Sequence, residues 1–370
     1  MIVTIIIAFL SLIGLVILHE LGHFLLAKKF GIKVEEFGIG YPPRFWGKKI
    51  GDTIYSINFL PFGAFVKIYG QEQRIDDPGS FSNKPFYQKA LVILGGVAVF
   101  WVVSAILLSI VMGLGAPSLI EDEEEGFLRN PKVQIIAINP NSPASGSGLK
   151  IGDSIANIKC QILDVKIDKV KQIQETIESC KGEETVLAIE RGKEKFDIHL
   201  VPRVSYPEDQ GPLGVALART ALKSYPWYQA PIEGVKATGN LTIAIIKGWG
   251  FVFKSIFQGK GVPAGVEIGG PIRIFELFID MSALGISYFL QFIALISISL
   301  ALINILPLPA LDGGWLVFLI IEKLRGKPLN DKIISKISAT FFVLLVALMV
   351  WITVRDITRT EFYETIKTFL

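Results

Sequence analysis

The sequence predicts a polytopic α-helical membrane protein: four transmembrane helices, a membrane-associated β-hairpin and one extracytoplasmic α/β module. Three observations carry this. The 370 residues are 51% hydrophobic and 19% charged, with a mean hydropathy of +0.50, too apolar for a soluble domain of this size. Four apolar stretches approach or exceed the roughly 20 residues a bilayer core demands: Ile2 to Leu18, prolonged through a histidine motif to Ala27, then Ala90 to Ile120, Met281 to Leu311 and Ile337 to Val354. Basic residues gather in two of the connecting loops, which assigns those loops to the cytoplasm.

Residues 1–29 form span one, which lacks a basic leader and a small-residue cleavage site and so reads as a retained span. Residues 30–88 carry Lys33, Arg44, Lys48, Lys49 and Lys84, with Lys28, Lys29 and Lys89 at the edges. Their text, "VEEFGIGYPPRFWGKKIGDTIYSINFLPFGAFVKIYG", alternates in short runs punctuated by Gly and Pro, as a hairpin against the cytoplasmic membrane face should. Span two covers 89–120. Residues 121–204 open with the acidic run Glu121 to Glu125 and contain the strands "VQIIAI", "VLAIER" and "KFDIHLVP" and the helix "DKVKQIQETIESC", one small α/β module on the far side. Cys160 and Cys180 fall in it, and their spacing is compatible with a bridge or with two free thiols.

In residues 205–280 the stretch Val235 to Phe257 is apolar but carries Lys236, Lys247 and Lys254. It reads as an amphipathic helix in the outer interface, because a span here would break the charge pattern. Span three covers 281–321. The loop 322–336 holds Lys323, Arg325, Lys327, Lys332 and Lys336, and span four with the tail occupies 337–370. Both termini are then extracytoplasmic. The net charge is only +3 and no basic tract occurs, which argues against nucleic acid as a partner.

Span one ends in "HELGH". His19 and His23 are four residues apart and share a helix face, with Glu20 about a quarter turn round from His19. Two imidazoles on one face hold a zinc ion, and the glutamate takes a proton from water activated by the metal. Ionisable groups at membrane depth are costly and by default functional. A catalytic zinc takes three protein ligands, and the chain has one further histidine, His199, in the outer module and therefore on the wrong side. The third ligand should be a carboxylate. "NILPLPALDGG", Asn304 to Gly314, supplies Asp312 just after Pro307 and Pro309, which must break span three. A broken backbone at that depth is tolerated only where protein or a water-filled cavity satisfies it, and such a break makes room for a site. Asp312 capping the following helix is the plainer alternative. Asn304 could hold a substrate backbone or an oxyanion.

"HELGH" together with "NILPLPALDGG" resembles the site-2 protease family of intramembrane zinc metalloproteases, in its bacterial, PDZ-containing branch. The likeness extends over nearly the whole chain: "FGIGYPPRFWGKK" through "LPFGAFVKIYG" resembles the family's re-entrant hairpin, "FSNKPFYQKALVILGG" the start of its second span, and "GGPIRIFE" the segment before its third. The resemblance implies one zinc ion on His19, His23 and Asp312, Glu20 as catalytic base, and Asn304 with the Pro307–Pro309 segment at the substrate. It further implies regulated intramembrane proteolysis in the bacterial cytoplasmic (inner) membrane, acting on single-span membrane proteins already cut outside, such as anti-sigma factors or remnant signal peptides. The chain departs from the family where a Gly-Pro pair and an Asn usually stand: it has Gly95, Gly96 and Val99. Trp315 also replaces a frequent His. "NSPASGSGLKIGDSIANI", Asn141 to Ile158, resembles a PDZ domain, in which Gly148 and Gly152 permit a tight connection and Asp153 satisfies turn amides. Such a module either receives an extended peptide or filters clients by size. The rival expectations are a catalytically silent membrane adaptor, against which the intact Glu20 counts, and a multi-span zincin of another family with a glutamate as third ligand.

Overall fold

The computed structural model describes residues 2–123, 128–161, 163–192, 194–207, 210–261 and 269–359, so Glu124, Glu125 and the tail from 360 lie outside the described residues. Two compact units result: 1–108 with 234–282 and 290–370, and 109–233 with 283–289.

In the first unit, helix α1 (Ile2–Lys29) leads into strands β1 (Val34–Ile50) and β2 (Thr53–Ile68) and then helix α2 (Phe86–Leu114). An apolar run in lipid must pair its own backbone, and a helix does so within the segment. The expected short strands prove to be two long ones. They pair twice because both bend: Phe37 lies opposite Val66 on one side and opposite Tyr55 on the other. The turn at Gly51 takes φ +61°. Around it the hairpin exposes Phe45, Trp46 and Phe59, with Phe45 and Phe59 edge-to-face at 5.1 Å.

The second unit is built on β3 (Ala116–Leu119), β4 (Leu128–Ile138), α3 (Pro143–Gly146), β5 (Ser154–Cys160), β6 (Leu163–Lys166), α4 (Val170–Ser179), β7 (Thr185–Arg191), β8 (Glu194–Leu200) and β9 (Val215–Lys223). The strands form one sheet in the order β3-β9-β4-β5-β7-β8, with β6 on β5. Its core joins Val133, Ile155, Leu187 and Ile189 to Ile173 and Ile177 of α4. Cys160 and Cys180 are bridged, tying the end of β5 to the end of α4 across 6.2 Å between Cα atoms. Asp153 is fully buried. Its Oδ2 accepts the Lys150 N–H at 2.8 Å, and Arg191 grips both its oxygens at 2.6 and 2.7 Å. Part of the acidic run is structural, since Asp122 accepts the N–H groups of Val170 and Lys171 at the start of α4.

The chain continues as α5 (Ala230–Phe257), α6 (Pro271–Leu284), α7 (Ile286–Asn304), α8 (Asp312–Arg325) and α9 (Asp331–Arg359). The single span expected over 281–321 is therefore divided, at Gly285 and again after Asn304. Among the described residues five helices are long and apolar enough to cross a membrane: α1, α2, α5, α7 and α9. The additional one is α5, expected to lie in the interface. At 100° per residue its three lysines fall within about 20° of one another, so most of its circumference is apolar. Trp101 Nε1–H of α2 donates to Thr242 Oγ1 at 3.2 Å, which sets the middle of α5 against the middle of α2.

Candidate metal centre

His19 and His23, both 7% exposed, project from the last third of α1. Pro307 and Pro309 end α7, and the segment to Leu311 carries no regular structure before Asp312 opens α8. Leu311, not Asp312, is the cap, and its side chain makes no capping bond, which leaves the Asp312 carboxylate for other work. The break is supported from outside: Ser338 Oγ of α9 donates to the Pro309 carbonyl at 2.9 Å. Gly313 and Gly314 are buried, and a Cβ on either would run into the carbonyls of Ile305, Leu306 and Leu308, so only glycine lets α8 start this close to the break.

His19 Nε2 and His23 Nε2 lie 3.2 Å apart, and Asp312 Oδ2 is 3.3 Å from the first and 3.5 Å from the second. Ligands about 2.05 Å from a tetrahedral ion stand about 3.3 Å from one another. The three separations thus match the base of a zinc coordination tetrahedron. The protonation pattern agrees: His23 Nδ1–H donates to the Val92 carbonyl at 2.8 Å, which leaves Nε2 with its lone pair turned to the centre. Asp312 Oδ2 is buried with no hydrogen-bond partner, as an atom reserved for a cation would be. Among the described residues no other set of His, Cys, Asp and Glu is placed to hold a metal. His199 is exposed on β8 and pairs with Glu184 at 3.2 Å.

A cavity of about 340 Å³ opens on the three ligand residues and is also lined by Glu20, Tyr41, Val66, Asn304 and Trp315. Asn304 ends α7, its Nδ2 donating to the Leu300 carbonyl at 2.9 Å. Pro307 and Pro309 are not in the lining; they shape the break. Tyr41 and Val66 were missed by sequence reasoning because they reach the cavity only through the bend of the hairpin. Ala64, Val66 and Ile68 all face the cavity, and alternate residues of a strand present their backbone groups to the same edge. The other edge of this stretch is the one paired with β1.

The profile of peptidase family M50 matches residues 7–348. The chain belongs to peptidase family M50. This M50 peptidase is 33% identical over 355 residues, 95% of its own length and 98% of the relative's, to a Clostridium perfringens protein whose name describes a zinc metalloprotease. A cyanobacterial protein of similar name, from Nostoc, is 30% identical over 352 residues, 93% of each chain. The chloroplastic membrane metalloprotease ARASP of Arabidopsis thaliana is 28% identical over 361 residues, covering 95% of this chain and 78% of ARASP.

Proposed function

We propose that this M50 peptidase is an intramembrane zinc endopeptidase that hydrolyses peptide bonds in or near the spans of single-span membrane proteins after a first extracytoplasmic cut. The observation that carries it is the triangle of His19, His23 and Asp312 beside Glu20, in a cavity lined by long apolar helices and the β-hairpin. Zinc is the metal that suits this donor set and that the relatives' names carry. When bound, zinc polarises the scissile carbonyl and makes a water acidic near neutral pH. Glu20 takes the proton of that water and delivers it to the leaving amine. Asn304 holds the substrate backbone at the end of α7.

A substrate helix must unwind first, because its carbonyls are engaged along the helix. The free edge of β2 at Ala64, Val66 and Ile68 then receives it as an added strand, which brings the scissile bond to Glu20 and the ligands. The bridged Cys160 and Cys180 support placing the α/β module outside the cytoplasm of a bacterial cell, in keeping with the two basic loops. There the module screens clients by size or holds an extended peptide, and anti-sigma factors and remnant signal peptides are the expected clients. The test is cleavage in nanodiscs of one single-span protein in two forms, with its outer domain intact and with it trimmed. Cleavage of the trimmed form within its span, abolished by Glu20→Gln, is expected. A protein that loads zinc but cuts neither form would defeat this reading in favour of an adaptor.

A further inference from the structure

Both histidines of α1 rest on α2, but by different contacts. His23 has the hydrogen bond usual for a metal-bound imidazole, Nδ1–H to the Val92 carbonyl. His19 has at best a poorly aligned one: the Gly96 backbone lies beside its ring, but Nδ1 has no acceptor at good hydrogen-bond geometry. The χ2 torsion of histidine has broad minima, so burial alone would leave the plane of this ring loosely set. What meets it is Phe100, 2% exposed, whose ring lies stacked on the imidazole with centroids 4.7 Å apart and planes 14° from parallel.

Phe100 is itself fixed. Its carbonyl accepts from Ser297 Oγ of α7 at 2.8 Å, and one turn along Ser104 Oγ donates to the Ala294 carbonyl of α7 at 2.6 Å. Both serines are fully buried. The reciprocal bonds join α2 to α7, the helix whose end at Asn304 leads through the break to Asp312 at the start of α8. Between the two contacts, Gly96 keeps the face of α2 bare: a Cβ there would lie 2.6 Å from Cε1 of His23 and 2.7 Å from Cε1 of His19.

We propose that Phe100 is a positioning residue of the metal centre: its ring sets the plane of the His19 imidazole, and the serine bonds to α7 refer that plane to Asp312. Two of the three proposed ligands are thereby aligned to each other through an apolar contact on α2. The proposal rests on the zinc reading above and is tested by metal binding rather than by cleavage.

The experiment uses the full chain in nanodiscs with Phe100→Leu, which keeps apolar volume without a ring, and Phe100→Tyr, which keeps the ring. Zinc affinity is read by chelator competition and ligand geometry by the visible spectrum of the Co²⁺-loaded protein, with the melting of the metal-free protein as the measure of fold. Phe100→Leu should bind zinc about 10- to 100-fold more weakly, as loss of an outer-shell partner does, with altered cobalt bands and a single cooperative metal-free melt lowered only by the small void left in the core. Phe100→Tyr should restore both affinity and spectrum. A leucine variant with wild-type affinity and spectrum overturns the proposal. So does a tyrosine variant as weak as the leucine one, since packing and not the ring would then be at work. Absence of zinc binding in the wild type would instead reject the zinc reading on which this rests.

Discussion

Gly22 lies between His19 and His23, at the crossing of α1 and α2. A Cβ added there would press on the Gly95 carbonyl oxygen and lie 2.8 Å from both Gly95 C and Val99 Cγ2. Ordinary contact begins near 3.4 Å, and the nearest obstacles are backbone, so Gly22→Ala must part the helices by roughly 0.6 Å or more. Overpacking of this kind costs about 1–3 kcal/mol. The consequence for the site is more specific. His19 and His23 move with α1, whereas Val92 and Phe100 stay with α2 and Asp312 with α8. The 2.8 Å bond from His23 to Val92 would stretch towards about 3.4 Å, beyond good N–H···O geometry. Zinc affinity should fall by about 10- to 100-fold, the usual effect of losing an outer-shell bond. Chelator competition on the purified protein measures the affinity, and thermal unfolding of the metal-free form measures the packing. An alanine variant with wild-type values for both would refute the close crossing and the coupling of helix spacing to the ligand triangle.

Glu20→Gln should retain zinc while cleavage of a single-span substrate falls by at least about 10²-fold, as for a lost general base; comparable loss of zinc would reassign Glu20 to the metal. Replacing Cys160 and Cys180 by Ser opens a loop closed by residues 20 apart, so the α/β module should lose about 3 kcal/mol of stability by chain entropy, read as a lower denaturant midpoint. Lys132 and Lys195 hold Glu190 down to about 2 from the ordinary value near 4.5. Its contribution is therefore complete above about 4.5 and lost as pH falls towards about 2. The melting difference between wild type and Glu190→Gln should shrink over that window and stay constant above it. Stripping zinc with a chelator should lower the melting temperature of the whole protein, since a ligand present at about 100 times its Kd contributes about 2.7 kcal/mol; identical melting with and without metal would count against the triangle as a resident site.

That His19, His23 and Asp312 come together could be anticipated from the sequence because metal chemistry restricts the candidates so tightly. "HELGH" fixed two positions by helical spacing, and His199 was set aside by its place in the α/β module. The proline-broken "NILPLPALDGG" then offered a carboxylate where a backbone break makes room for a site. What remained hidden depends on relations between elements. Alternation along "VEEFGIGYPPRF" marks a strand but not its bend, so neither Tyr41 nor the edge at Val66 could be assigned to the cavity. The spacing of Lys236, Lys247 and Lys254 puts them on one face of α5 but does not say what its apolar faces meet, and only the contact with Trp101 ties it to the middle of α2. The cysteine spacing left bridge and free thiols equally open, and proximity in the fold decides between them. Asp122 looked like part of a charge run and is a helix cap.

The composition of the cavity also explains how four ionisable side chains persist among apolar helices. With zinc on the two Nε2 atoms both imidazoles would be neutral, Glu20 and Asp312 would bring two negative charges and the ion two positive ones, so the occupied site would be neutral overall. Neutrality matters here because Tyr41, Gln71 and Asn304 are the remaining polar side chains of a cavity otherwise walled by residues such as Val16, Ile93, Phe100 and Leu300, and uncompensated buried charge costs several kcal/mol. It also separates the duties of the two carboxylates. Asp312 is held by the break after Pro309, 3.3 and 3.5 Å from the two imidazole nitrogens, and has one place to be. Glu20, on the helix beside them but outside the triangle, lines the cavity, as the base proposed above must. The same cluster that makes the site tolerable in a membrane thereby divides it into a metal cradle and a base.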